Sequence, residues 1–428
     1  MKNYLEMSKH ERRKALEEQQ KLYEQQKAAG LNLDMSRGKP DATQLNLSMD
    51  MLQQNPYDLI YTRKGTDVRN YGELAGVDEA KELFAELLGL KMENIIMGGQ
   101  SSLALMYDTV IKAFVLGVYG GSKPWGQQGK VKFLCPVPGY DRHFAITEYF
   151  GIQMVNIPMK EDGPDMDLVR QYVENDESVK GIWCVPKYSN PTGTVYSDET
   201  VERFARLKPA APDFRIYWDN AYNVHHLDFE HIRVIPELLE LCRENGHPDM
   251  VYKFGSFSKI SFSGSSIAAL ATSEENIADV VKTMGIQTIG HNKINQLLHT
   301  RFFKNAEGVM EHMKKHAAIL KPKFDLVQKS LEEGLGGQSL ATWSKPEGGY
   351  FVSFNTMPGC AKRVVALVKG AGVVMTGAGA TYPYGMDPED SNIRIAPTFA
   401  SLSDLEKALE IFCVCVKLAS VEKFLNEG

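Results

Sequence analysis

The stretch Val251-Tyr-Lys-Phe-Gly-Ser-Phe-Ser-Lys259, read with Phe214-Arg-Ile-Tyr-Trp-Asp-Asn-Ala-Tyr222 and Gly181-Ile-Trp-Cys-Val185 upstream, decides the fold. Each begins as a short run rich in apolar, aromatic or β-branched residues, the pattern of a strand buried on both faces. Each then gives way to polar residues: Asn190-Pro-Thr-Gly193 after the first, Asp219 to Tyr222 after the second, Ser256 to Lys259 after the third. The carboxyl ends of strands are where ligands of open α/β sheets gather.

Working outward, the same signature predicts further strands at 94–97, 131–135, 153–157 and 267–271, with helical patterns between most of them. This predicts an α/β fold whose central sheet is mostly parallel and joined by crossover helices. Beyond about Gly308 the pattern changes to a long helix at 310–335, strands at 349–354, 373–375 and 392–396, and a last helix at 401–427, a smaller α+β domain. Residues 2–29 read as a charged helix with Ser8 as cap and Gly30 as stop, either a solvated amphipathic arm or a docking helix. The expected division is 1–50, a helical arm and loop packing with the small domain; 51–308, the large domain; and 309–428, the small domain.

The polar residues at the strand ends have a common chemistry. A lysine amine condenses with an aldehyde to a Schiff base and, once displaced, can move a proton at a substrate carbon. A carboxylate beside a pyridine nitrogen keeps that nitrogen protonated, while a phenol and a carboxamide can hydrogen-bond a ring oxygen. Lys259, Asp219, Tyr222 and Asn190 supply this set for pyridoxal 5'-phosphate, Lys259, Asp219 and Tyr222 being the catalytic candidates. Alone, a lysine is ordinarily a surface residue, an aspartate after a strand a helix cap, and Asn-Pro-x-Gly a turn. Their coincidence in one order carries the reading.

Further motifs run along the chain: Ser36-Arg-Gly-Lys-Pro-Asp41, Tyr71-Gly72, Gly98-Gly-Gln-Ser-Ser102, Pro136-Val-Pro-Gly-Tyr140, Pro346-Glu-Gly-Gly-Tyr-Phe351 and Asn392-Ile-Arg394. From about Leu33 to its end the chain resembles the fold type I, class I/II aminotransferases that use pyridoxal phosphate, and within them a divergent bacterial aspartate aminotransferase group. The resemblance implies a substrate loop in which the Gly38 backbone lies over the substrate, and an Arg394 that binds the α-carboxylate; Asn190 and Arg37 are the further substrate-binding candidates. It implies that Tyr71 reaches the neighbouring subunit's phosphate in a homodimer, and that Tyr140, eleven residues before Gly151, stacks on the cofactor ring. Gly99, Gln100 and Ser101 fall at the phosphate turn; a glycine-rich turn opening a helix presents free N–H groups to an anion on physical grounds alone. Ser256 and Ser258 join this cofactor set, and the 346–351 turn is read as structural.

Two departures stand out. The arginine that relatives carry about eight residues after the lysine is absent from Lys259-Ile-Ser-Phe-Ser-Gly-Ser-Ser-Ile267. Ser256, Ser258, Ser265 and Ser266 offer a neutral cradle instead, with Lys253 and Lys293 as alternative cations. Thr376-Gly377 replaces the usual Pro-Gly and is assigned no role. For a dicarboxylate substrate a second cation is needed, and Arg37, Arg63, Lys123 and Lys293 are candidates, Arg37 because it adjoins Gly38. His291 and Asn292 lie on a segment that in relatives approaches the partner's site.

The expected reaction is transfer of an amino group from an L-amino acid, aspartate first, to 2-oxoglutarate, through a Schiff base on Lys259 and a ketimine. A lyase or decarboxylase of the same fold type would use the same groups. A transcription regulator would need a basic winged-helix module, for which the thirty or so residues before the substrate loop are too few. With 428 residues, 43% hydrophobic content and a net charge of −6, the chain can fill two cores and carries no global attraction for nucleic acid or anionic membrane. Six cysteines without C-x-x-C spacing read as reduced core thiols rather than metal ligands, and no metal is expected. No run is long enough to span a bilayer and the N-terminus is no signal peptide, so the expected location is cytoplasmic.

Overall fold

The computed structural model describes residues 3–427; the Lys2 end of the N-terminal helical pattern lies outside the described residues. Its centre is an eight-stranded sheet in the order Ile95–Met97, Ala268–Ala271, Val251–Ser256, Arg215–Asp219, Val179–Cys184, Lys132–Val137, Gln153–Lys160 and Gly163–Pro164. The four pairings from Val251–Ser256 through Gln153–Lys160 are parallel; Ala268–Ala271 runs antiparallel to both its neighbours, and Gly163–Pro164 closes the far edge antiparallel. Helices cover the sheet, which explains why the central strands read as continuous apolar runs rather than alternating ones. Residues of the Val179–Cys184 and Arg215–Asp219 strands are buried throughout.

The predicted strands are all present, with ends that differ from the expectation by at most three residues. Asn94 belongs to a short 3-10 turn instead of a strand, its Nδ2 donating to Thr272 O at 2.9 Å. The predicted strand at 373–375 does not join the C-terminal sheet. Val373 and Val374 pair parallel with Leu33 and Asp34, while the C-terminal sheet consists of Ala341–Trp343, Val352–Thr356 and Asn392–Ile395.

The N-terminal helix Lys9–Ala28 is capped by Ser8 in a capping box with Glu11, as its sequence predicts. It is not a solvated arm. Ala15, Gln19 and Tyr23, four residues apart, are buried, and Tyr23 Oη donates to Leu367 O at 3.1 Å. Arg12 lies over the Phe424 ring at 4.5 Å. The partner of this face is the C-terminal helix Leu402–Glu427, which buries residues around most of its circumference because it is packed between the N-terminal helix and the long helix Ala306–Leu335. All six cysteines are buried free thiols. Among the described residues no helix is long and apolar enough to cross a membrane.

Candidate active site

The parallel order brings three carboxyl strand ends side by side. Asp219 ends one strand and pairs in register with Phe254 on the next, whose last residue is Ser256; Lys259 follows after one tight turn. Asn190 lies six residues beyond Val179–Cys184, before a cis Pro191. Gly193 closes this turn with its N–H donating to Ser189 O at 2.7 Å and φ of 74°. A Cβ there would lie 2.4 Å from Pro346 Cβ, so only glycine lets the 346–351 turn approach.

Asn190, Asp219, Tyr222, Ser256, Ser258, Lys259, Tyr140 and Ser101 line one cavity of about 160 Å³. Ser102, Leu103 and Met106, from the first turns of the helix Ser102–Val115, complete one wall. Ser101 makes no side-chain capping bond, which leaves the first N–H groups of this helix to an anion at the cavity mouth. Ser258 Oγ donates to Gln100 O at 3.3 Å, joining the lysine turn to the glycine turn.

Asp219 is buried, held by His143 Nε2 at 3.0 Å and by the Ala221 N–H at 3.1 Å. His143 is stacked on Trp183 with centroids 4.5 Å apart, which fixes its ring and hence the carboxylate. Burial depresses the Lys259 ammonium, and the charge of Asp219 offsets part of that fall. The Lys259 Nζ stands 4.9 Å from the Tyr222 ring centre. Burial drives the Tyr222 phenol well up, with Tyr140 and Asp219 adding to the rise, so it stays protonated and able to donate. Tyr140 is pushed up to about 12 by the same burial and the same aspartate.

Arg394 extends this group through Asn190, its Nη1 donating to Asn190 Oδ1 at 3.2 Å and to Asp141 Oδ1 at 2.8 Å. Its guanidinium lies 4.8 Å over the Phe351 ring, and its Nε is buried without a hydrogen-bond partner among the described residues. Gly38 sits against the same ring: a Cβ there would come within 2.2 Å of Phe351. Buried arginine, unpartnered nitrogen and a backbone-only approach together make a seat for a planar anion.

The sequence model of a family described as aspartate amino-transferase matches residues 7–427. The chain belongs to this family. A relative in Mycolicibacterium smegmatis is 47% identical over 96% of each chain, and an aspartate aminotransferase of Corynebacterium glutamicum is 43% identical over 96% of this chain and 94% of that one. The crystal structure of an aspartate transaminase from Corynebacterium glutamicum superposes with a TM-score of 0.92 at 41% identity, covering 96% of both chains. The α-aminoadipate aminotransferase of Thermus thermophilus, at 19% identity over 92% of this chain and 93% of that one, shares the fold with a TM-score of 0.73. The chain is therefore an aminotransferase of fold type I.

Against that family frame several expectations change. Of the four serines offered as a phosphate cradle, only Ser256 and Ser258 line the cavity; Ser265 Oγ donates to Asn295 Oδ1 at 3.4 Å and Ser266 Oγ to Ile267 O at 3.1 Å. Lys253 is buried on the sheet with Glu237 at 2.6 Å and Leu88 O at 2.9 Å, and so is no phosphate cation. Lys293 Nζ donates to Gly72 O at 3.1 Å, which ties down the Tyr71 segment. Arg63 is engaged by Glu79 and Glu82. Lys123 lies with Gln128 and Asp213 at the amino ends of the strands, opposite the site. Arg37 is exposed and has no ion pair among the described residues. Tyr71 is 78% exposed and lies outside the cavity. The Asn292 side chain caps its own helix, accepting the Asn295 N–H at 2.9 Å. His291 lies beside the glycine turn of its own chain, its Nδ1 4.0 Å from the position of a Gly99 Cβ.

Sequence reasoning missed His143, Asp141 and Thr376. His143 follows Tyr140 by three residues, one helical turn, which is the signal that could have found it. The Thr376 hydroxyl donates to Ser36 O at 2.8 Å and accepts from Arg394 Nη2 at 3.4 Å. A proline at that position would offer neither bond.

Proposed function

We propose that this aminotransferase moves the amino group of an L-amino acid, aspartate foremost, to 2-oxoglutarate with pyridoxal 5'-phosphate held on Lys259. The observation that carries the reading is the convergence of Lys259, Asp219, Tyr222 and Asn190 on one cavity, with Arg394 attached through Asn190. The donor set fits the group: an uncapped helix terminus for a phosphate, a buried carboxylate for a ring nitrogen, a protonated phenol for a ring oxygen. Bound there, pyridoxal phosphate supplies an aldehyde and an electron-withdrawing ring.

Lys259, its charge disfavoured by burial, is the amine and the proton carrier. Asp219, oriented by His143, would hold the ring-nitrogen proton, and Tyr222 and Asn190 would donate to the ring oxygen. Tyr140, which lines the same cavity, would cover one ring face. Arg394 would take the α-carboxylate in place of Asp141, which neutralises it between substrates. Arg37 remains the cation for a distal carboxylate, since Arg63 and Lys293 are engaged and Lys123 lies at the opposite ends of the strands.

A homodimer is part of the proposal. Tyr71, Val115, Leu116, Ile286 and Ile289 expose 57–88% of their surface, an apolar area that a second subunit would cover. Reduced, buried thiols accord with a cytoplasmic enzyme. The test is the visible spectrum of the purified protein: a cofactor band bleached by L-aspartate or L-glutamate alone and restored by 2-oxoglutarate supports the proposal. A band that no amino acid bleaches overturns it.

A further inference from the structure

We propose that Gln44 is a positioning residue for Lys259, acting through Tyr350 and linking that lysine to the substrate loop 36–41. The inference rests on the reading of Lys259 as the cofactor-bearing amine.

Gln44 lies in the five-residue helix Ala42–Asn46 and is wholly buried. Its Oε1 accepts the Asp41 N–H at 3.3 Å, which fixes the amide orientation. The two hydrogens of Nε2 then go to Tyr350 Oη and His316 Nδ1, each at 3.0 Å. Tyr350, accepting from Gln44, is left to direct its own hydrogen to Lys259 O at 3.5 Å. Every donor in this chain has one acceptor, from the Asp41 backbone to the carbonyl of the lysine itself.

The second branch reaches the next residue. With Nδ1 accepting, His316 carries its proton on Nε2 and directs it to Ile260 O, as does His312 Nε2 at 3.0 Å; the two Nε2 atoms, 3.2 Å apart, share that carbonyl, and Ser48 Oγ lies 3.3 Å from His312 Nε2. His225 Nε2 meets Lys259 O at 3.3 Å, and the Ser261 hydroxyl meets His299 Nε2 at 2.8 Å. Three consecutive residues, 259 to 261, are thus each gripped by a buried histidine. Burial lowers all four rings, to about 4 for His299, His312 and His316, so they act as neutral hydrogen-bonding struts.

The substrate loop is tied at both ends. At one end Asp41 pairs with Lys323 at 2.6 Å and its N–H binds Gln44; at the other, Ser36 O accepts Thr376, which takes Arg394 Nη2. One loop therefore connects the seat for the substrate carboxylate to the backbone of the lysine. A buried network of this kind, in which His225 Nδ1 is left without a partner among the described residues but the bonds to the 259–261 segment are made, is rigid and fails as a unit.

The test is a double-mutant cycle in the full-length holoenzyme with Gln44→Leu, Tyr350→Phe and both. Each single change is expected to lower kcat about tenfold, with KM for the amino donor altered less than about threefold, and the double variant to lose no more than the worse single. Backbone hydrogen exchange across 257–262 should rise in each variant, a readout independent of turnover. Multiplicative losses, or kcat within about twofold of the parent for Gln44→Leu, overturn the inference. Should Gln44→Leu not fold, Tyr350→Phe removes a single oxygen and decides alone: unchanged kcat and exchange overturn the inference. Borohydride reduction of the parent with peptide mapping separates the two claims. Label on another lysine overturns the functional reading and this inference with it; label on Lys259 with multiplicative losses overturns this inference alone.

Discussion

Lys259 has two surroundings of different construction. Its amine faces a cavity walled by Asp219, Tyr222 and Asn190, residues that end or follow parallel strands adjacent in the sheet. Its carbonyl and that of Ile260 face the protein interior, where His225, Tyr350 and His312 come from three separated elements. The cavity side holds the groups to which the proposed chemistry is assigned; the interior side holds neutral groups that hydrogen-bond the backbone beneath it. A reactive amine must leave its rest position and return, so precision has to be built into the backbone beneath it rather than around its tip.

The comparison can be broken by substitution. Lys259→Ala removes the amine itself and should lower kcat by roughly 10⁴–10⁶, the scale seen when one member of a cooperating catalytic set is deleted; near-normal turnover would end the account of the cavity side. Asp219→Ala should cost roughly 10²–10³ in kcat, as for loss of one preorganised charge, and turnover close to the parent would remove its assigned task. Arg394→Lys keeps the charge but loses the planar fork, and KM for the amino donor should rise roughly 10–100-fold with a smaller change in kcat. An unchanged KM would place the carboxylate elsewhere.

The interior side is sharpened by pH. His299, His312 and His316 have folded-state values near 4, below the ordinary histidine range. Between about pH 6.5 and 4 the unfolded chain therefore binds more protons than the folded one, so stability is full above that window and falls as pH drops through it. By pH 5 each ring should cost on the order of 1–2 kcal/mol. Thermal unfolding at pH 7 and pH 5 checks this; an equal midpoint at both would mean these rings are not held neutral. Replacing His299 with Asn should flatten the slope slightly, the smallest of these effects.

Legibility differed between the two sides for a physical reason. The strands around 181–185, 214–219 and 251–256 were readable because burial on both faces demands unbroken apolar runs, and the polar residues ending them stand out by contrast. The serine cradle was read too broadly, since nothing local reveals that Ser265 and Ser266 have other acceptors within reach. Thr376 looked interchangeable with proline because its two hydrogen bonds go to Ser36 and Arg394, the former 340 positions away in the chain. The N-terminal helix resembled a solvated arm because its charged majority conceals a narrow stripe of Ala15, Gln19 and Tyr23.

By itself the sequence determined the strands of the sheet, the order of their polar ends and the residues proposed to hold a cofactor, all set by composition within a few residues. Only the tertiary structure decided that Asp141 would pair with Arg394 across 253 positions, that His143 would hold Asp219, and that Gln44 would meet Tyr350 across 306. A buried hydrogen bond between distant residues leaves no local trace, because its partner is chosen by packing.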